Sequence, residues 1–216
     1  MKILALDTST SAGSVAISDG KNIITEYSPN SEKSHSETFL PMIDKILKMA
    51  KFRIQEIDAI AIAIGPGSFT GLRIGLSTAK GFCFGLKIPL MPISTLMSLA
   101  NNATKISKNQ KICPFLDAGR GNYYSALYSS NLDEIMKPTL FTMQELVNQK
   151  KSDTILVGQN IKGFQNEFYF SEPNATSLID IVYKRNFSLD YDYNQIANLQ
   201  PLYIRKSSAE ERFHKI

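Results

Sequence analysis

The sequence predicts an α/β fold of two lobes, each running strand-strand-strand-helix-strand-helix (βββαβα), and three observations carry that expectation. The runs "KILALDTS", "GSVAIS" and "NIITEYS" are short, apolar and separated by glycine or polar turns, the pattern of an antiparallel meander. The same order of elements recurs in the second half of the chain. "LALDTSTSAGSVAIS" and "PFLDAGRGNYYSALY" each give an apolar strand, an Asp at its end, a turn of small residues and a second strand, aligning Asp7 with Asp117. A repeat of this kind implies a pseudo-twofold pair of lobes with a cleft between them. The division falls at residues 1–105 for the first lobe and 106–216 for a smaller second one, whose last residues pack back on the first.

After the meander, "SHSETFLPMIDKILKMA" places Phe39, Ile43, Ile46 and Ala50 on one helical face, with Leu40 and Leu47 beside them. Ser34 and Glu37 have the spacing of a capping box. Pro41 sits inside the pattern and either kinks the helix or belongs to its first turn; a kink is the expectation. The strand "DAIAIAIG" is almost wholly apolar, hence central and buried on both faces. A glycine-rich helix spans about Thr70 to Leu86. The strand "IPLMPI" and a helix opened by Ser94 or Thr95 follow, and the polar "NNATKISKNQ" reads as a linker. In the second half, "KICPFLDAG", "NYYSALYSS" and "EIMKPTLF" give three strands, in which Tyr123, Tyr124 and Tyr128 are alternating strand residues rather than a base-stacking platform. Thr142 and Glu145 cap the helix "MQELVNQK", and "DTILVGQ" is the next strand.

The chain of 216 residues is 43% hydrophobic and 20% charged, a globular profile that excludes a fibrous or disordered protein. No stretch approaches the apolar length of a membrane span. The N-terminus lacks the apolar core of a signal peptide, so a cytoplasmic protein is expected. Cys83 and Cys113 lie in apolar segments without a second ligand at metal spacing, and read as buried, reduced thiols. A net charge of +4 tolerates an RNA partner without implying one. The densest basic group, Arg205, Lys206, Arg212 and Lys215, is interrupted by Glu210 and Glu211 and reads as a solvated tail.

Asp7 and Asp117 would point into a cleft between the lobes. A carboxylate beside a turn of small residues can hold a metal-bound water while the turn's amides hold phosphate. Alternatively, each Asp caps its own turn. Residue types alone leave both open. In "IAIGPGSFTGLRIGLSTAKG" a strand, a glycine turn and a helix start form what looks like a phosphate cradle, which accounts for Gly65 and Gly67. It does not account for Gly75 or Ala79, further into the helix. Gly67, Gly71, Gly75, Ala79 and Cys83 form a continuous ridge of small residues, and each interior glycine costs about 0.5–1 kcal/mol relative to alanine.

Two lobes with Asp-containing hairpins resemble the acetate kinase, sugar kinase, Hsp70 and actin (ASKHA) superfamily, whose phosphate hairpins run roughly Asp-x-Gly-x-Thr and Asp-x-Gly-x-Gly. "DAGRG" from Asp117 to Gly121 fits. "DTSTS" from Asp7 departs, with Ser9 where the glycine should stand, which argues against a competent phosphotransfer site. Within that superfamily, "ILALDTST", "HSETFLPMID", "GPGSFTGLRIGLSTAKG", "STL" and "PLYIR" resemble the bacterial TsaB (YeaZ) family. The resemblance implies a role in making threonylcarbamoyladenosine in tRNA, as the non-catalytic companion of a TsaD-like catalytic subunit on which a TsaE-like ATPase docks, reaching tRNA only indirectly. ATP or ADP and Mg would act at the level of that complex. The residues facing a nucleotide or phosphate would be Asp7, Thr8, Ser9, Gly65, Gly67, Ser68, Asp117 and Gly119. The rival reading is a stand-alone ATPase or small-molecule kinase using the two Asp residues and the Gly65–Gly67 turn; a metallopeptidase is the weaker third.

The catalytic relative binds metal through two histidines at His-x-x-x-His spacing; here His35 and His214 cannot pair locally, so no metal site is expected. Ser68 does not sit in a Gly-x-Ser-x-Gly elbow, so no catalytic nucleophile is assigned. The small ridge is read as a seat for another helix. Gly71, Gly75, Ala79 and Cys83, with Phe39, Met42, Ile43, Ile46 and Met49 of the apolar first helix, are expected to form a helix-bundle interface with TsaD or in a homodimer. Gly65 to Thr70 would be a vestigial or shared anion site.

Overall fold

Two five-stranded sheets, each a three-stranded antiparallel meander extended by parallel strands, organise the chain. The computed structural model describes residues 1–11, 13–28, 35–159, 168–185 and 187–205. Its elements, in chain order, are β1 (Lys2–Asp7), β2 (Ser14–Asp19), β3 (Asn22–Tyr27), α1 (His35–Ala50), β4 (Ala59–Ala63), α2 (Phe69–Leu86), β5 (Leu90–Ile93) and α3 (Thr95–Ala103). They continue with β6 (Lys111–Gly119), β7 (Asn122–Tyr128), β8 (Glu134–Thr142), α4 (Met143–Asn148), β9 (Thr154–Gly158), β10 (Tyr169–Phe170), α5 (Ala175–Lys184) and α6 (Tyr193–Asn198). The first sheet has the order β3-β2-β1-β4-β5 and the second β8-β7-β6-β9-β10, so each strand of the first has a counterpart in the second. The fold is a two-lobed α/β arrangement. The region after β9 that would correspond to α2 includes residues 160–167, which lie outside the described residues.

Strand alternation sorts the core into layers. Leu4, Leu6, Val15, Ile17, Ile60 and Ile62 face one way, against Phe39, Ile43 and Ile46 of α1, Leu76, Ala79 and Cys83 of α2, and Ile196 of α6. Ile3, Ala5, Ala16, Ala59, Ala61 and Ala63 face the other way, toward α3 and α5. Alternate residues of a strand point to opposite faces, so "AIAIA" in β4 gives a large-residue face and an alanine face. The alanines leave room for two helices on that side. Beyond α3 and α5 lies the second sheet, through Ile112, Leu116, Ala126, Tyr128 and Val157. Its far face packs Cys113, Phe115, Tyr123 and Leu156 on Leu146 of α4.

The two middle helices are exchanged between the halves. α3, from the first half, packs on β6, β7 and β9; α5, from the second, packs on β1, β2 and β4. Neither sheet completes its core with its own half alone, and a cut at 105/106 would separate each helix from the sheet it covers. A polar seam joins the pair. The Ser177 hydroxyl donates to the Ser98 carbonyl (2.8 Å), and Asn101 Nδ2 donates to Ser177 Oγ (3.1 Å). The amides of α5's first turn, which lack helical partners, find acceptors as well: Ala175 N–H donates to Ser14 Oγ of β2 (2.9 Å) and Ser177 N–H to its cap Asn174 Oδ1 (2.8 Å).

Several local expectations hold in detail. All five residues of β4 are buried between β1 and β5. Thr142 and Glu145 form a reciprocal capping box, with Thr142 N–H donating to Glu145 Oε2 (2.8 Å) and Glu145 N–H to Thr142 Oγ1 (3.3 Å). Tyr123 and Tyr128 are buried in β7. One reading needs correction. Asn101 to Ala103 belong to α3, not to a linker, and Asn101 is buried because its amide serves the seam. Pro41 lies inside α1, beyond its first turn. Ser34, proposed as a cap, and the tail residues Lys206, Arg212, His214 and Lys215 lie outside the described residues. Among the described residues no helix is long and apolar enough to cross a membrane.

Both thiols are free and buried; burial pushes Cys83 up to about 12 and Cys113 up to about 11, the latter despite contact with the Ser125 hydroxyl. Because the thiolate is the reactive form, neither should react with a disulfide reagent at pH 8 in the native protein. Two equivalents should react after denaturation in guanidinium, read by the absorbance of the released chromophore.

Candidate functional site

β1 ends in Asp7, and Asp7, Thr8 and Ser9 are each no more than 2% exposed. Asp7 Oδ1 accepts from the Ser9 N–H (2.8 Å) and the Ser9 hydroxyl (2.6 Å), so this carboxylate caps its own turn. Asp117 does the same on the second sheet, accepting from Gly119 N–H (2.7 Å), but it is exposed. The two are therefore unequal: one is sealed into a junction, the other stands on a surface hairpin. The Asp117 charge, after burial, contributes to pushing up the Tyr123 hydroxyl opposite it in the β6–β7 register.

The glycine turn closes over the end of β1. Ser68 N–H donates to the Ser9 carbonyl (2.7 Å), and a Cβ on Gly67 would overlap that same carbonyl oxygen. Ser68 is also the N-cap of α2, its hydroxyl accepting from Gly71 N–H (3.2 Å). One turn further in, a Cβ on Gly75 would overlap Thr8 Oγ1. Gly65 has φ +112° and its carbonyl accepts from Thr95 N–H at the start of α3 (2.9 Å). On its other side, a Cβ would come 2.9 Å from the Leu202 carbonyl oxygen. That residue belongs to a segment after α6 which crosses the turn. Leu202 N–H donates to Ile64 O (2.7 Å), Tyr203 stacks on Phe69 (5.1 Å), and Arg205 Nη1 donates to Ala118 O in the second hairpin (3.5 Å).

The sequence therefore grouped Asp7, Thr8, Ser9, Gly65, Gly67 and Ser68 correctly, but the group is a packed joint. A phosphate cradle needs free amides at a helix start; here those of Ser68 and Gly71 are already used, and the bare faces of Gly65 and Gly67 are filled by Leu202 and Ser9. The Gly65–Gly67 turn is thus occupied by this chain's own backbone. Asp117 and Gly119 lie on the exposed second hairpin, which the same segment touches at Ala118. Among the described residues, no three His, Cys, Asp or Glu side chains gather as a metal-binding group.

A family model described as "TsaD: tRNA N6-adenosine threonylcarbamoyltransferase" matches residues 23–206. The "tRNA threonylcarbamoyladenosine biosynthesis protein TsaB" of Buchnera aphidicola subsp. Schizaphis graminum is 32% identical over 200 residues, covering 85% of this chain and 94% of its own length. The chain belongs to the TsaB family. The Escherichia coli protein of the same description is 34% identical over 169 residues, 73% of this chain and 71% of its own. In fold, the chain is similar to "YeaZ from Pseudomonas aeruginosa", with a TM-score of 0.77 at 24% identity over 94% of this chain and 99% of that one.

The predicted helix-bundle residues are not an outward surface. Phe39, Met42, Ile43, Ile46, Ala79 and Cys83 are at most 3% exposed, and Gly71 and Gly75 are buried. The small ridge faces the chain's own β1 and its Thr8, because α2 must come close to the sheet there. Of the predicted set only Met49 is exposed, with Leu40 beside it on α1. Composition gave no signal for the segment at Leu202 to Arg205; "PLYIR" stood out only by resemblance.

Gly75→Ala should lower stability by about 1–3 kcal/mol, since Thr8 is fully buried and cannot swing aside. Gly81→Ala, on the same helix but with open space where its Cβ would sit, should instead raise stability by about 0.5–1 kcal/mol. Urea denaturation midpoints of the two variants test the assignment of the ridge to internal packing.

Proposed function

We propose that this chain is a non-catalytic partner subunit in tRNA threonylcarbamoyladenosine formation, supporting a TsaD-like catalytic subunit and offering a docking place for a TsaE-like ATPase. Family membership gives the pathway. The observation that supports the non-catalytic part is the joint at the end of β1: the Ser68 N–H is engaged by the Ser9 carbonyl, and the bare faces of Gly65, Gly67 and Gly75 are filled by Leu202, Ser9 and Thr8. Nucleotide and Mg then act on the partner subunits, and tRNA is met through the catalytic one.

The outward side chains available to a partner are not the buried ridge. Leu40 and Met49 on α1 are 59% and 53% exposed, and Phe69 at the start of α2 is 37% exposed. These helices lie side by side on the same face of the first sheet, against one core. A catalytic subunit is the first occupant of that face, and a second copy of this chain is the alternative when it is absent.

Reconstitution decides the matter. The purified chain alone should neither hydrolyse ATP nor transfer phosphate. Added to the TsaD-like and TsaE-like subunits with tRNA and a threonylcarbamoyl donor, it should restore modification that is absent without it. ATP turnover by the isolated chain that Asp7→Asn abolishes would establish the stand-alone enzyme instead.

A further inference from the structure

The outer face of α2 carries a feature that the joint does not use. Arg73 and Lys80 stand seven residues apart, about 10.5 Å along the helix axis. They line a groove of about 340 Å³ between α2 and the crossing segment, together with Ser77, Gln200 and Tyr203 and without any carboxylate. Both cations are held in place by neutral groups. Arg73 Nε donates to the Tyr203 hydroxyl (2.9 Å), and its guanidinium lies 3.9 Å over the Phe69 ring. Lys80 Nζ donates to the Ala197 carbonyl (2.8 Å).

Elsewhere, Lys2 is paired with Glu56, Lys48 with Asp44, Lys111 with Asp153 and Arg185 with Asp133. Arg73 and Lys80 have no carboxylate at ion-pair distance among the described residues. Fixing two long side chains costs rotamer entropy, and no opposite charge among the described residues offsets it. Positioned cations without counter-charges, sharing one groove, are complementary to an anion brought from outside.

We propose that this groove receives an acidic segment of a partner protein, with carboxylates about 10 Å apart, two turns of a helix laid along α2. The small Ser77 between the cations leaves the approach open. A nucleic acid is disfavoured here because the aromatic rings at hand, Phe69 and Tyr203, are already stacked on each other and on Arg73 and do not offer a base platform. The inference rests on the reading of this chain as a partner subunit.

Calorimetric titration of the intact chain against the TsaD-like subunit, at low and high NaCl, tests it. Arg73→Gln with Lys80→Gln should weaken binding at low salt about tenfold and flatten its salt dependence. Tyr203→Phe, which removes Arg73's acceptor but keeps both charges, should change affinity less than about threefold. Circular dichroism melts confirm that each variant is folded. Double-variant binding within twofold of wild type overturns the inference while leaving the partner reading intact. If wild type does not bind that subunit, the partner reading fails. A helical peptide with two glutamates seven residues apart, set against its glutamine counterpart, then tests the groove directly. Glutamate-dependent binding supports it; equal or absent binding of both peptides, or displacement of the acidic peptide by tRNA, overturns it.

Discussion

The close approach of α2 to the end of β1 is the constraint on which the rest of this molecule depends. Ser68 N–H reaches the Ser9 carbonyl, and Gly67 and Gly75 present bare backbone to Ser9 and Thr8. Those contacts set the helix down on the first sheet, so that Leu76, Ala79 and Cys83 join the core with Leu4, Leu6, Ile60 and Ile62. They also fix the turn before α2, whose carbonyls at Ile64 and Gly65 receive Leu202 and Thr95. The glycines weaken the helix as a helix. What they allow is a helix-to-sheet distance that a methyl group would prevent.

A second constraint acts between the halves. Because α3 covers the second sheet and α5 the first, the hydrophobic layer between the sheets is common property, and its polar groups are shared too: Ser177 with Ser98, Asn101 with Ser177, Ala175 N–H with Ser14. Buried polar groups must be satisfied where they lie, so this seam specifies one relative placement of the helices. The crossing segment adds another tie, touching Ile64, Phe69 and Arg73 on one side and Ala118 on the other.

The first hairpin is joined to the protein's own α2: Ser9 supplies its carbonyl to the Ser68 N–H, and Gly67 lies bare against it. The proposed role as a partner subunit draws on the outer side of that same helix. The buried Gly71–Cys83 ridge and the exposed Arg73–Lys80 row are opposite sides of one helix, the first engaged by this chain's own sheet and the second facing outward.

The sequence by itself determined the local elements and their duplication. The meander, the wholly apolar β4, the capping box at Thr142 and the paired Asp turns all follow from residue chemistry within a few positions, and each is where the sequence puts it. It also gathered the residues at the end of β1 with those of the glycine turn. Only the tertiary structure decided which way the glycine ridge points, that α3 and α5 change places, that Asn101 is buried rather than in a linker, and that residues 202–205 cross the turn. The physical reason is the same in each case. Periodicity tells which side chains share a face, and it is silent on what that face meets; a stripe of small residues suits a foreign helix and a nearby strand end equally, until three-dimensional packing puts Thr8 against Gly75.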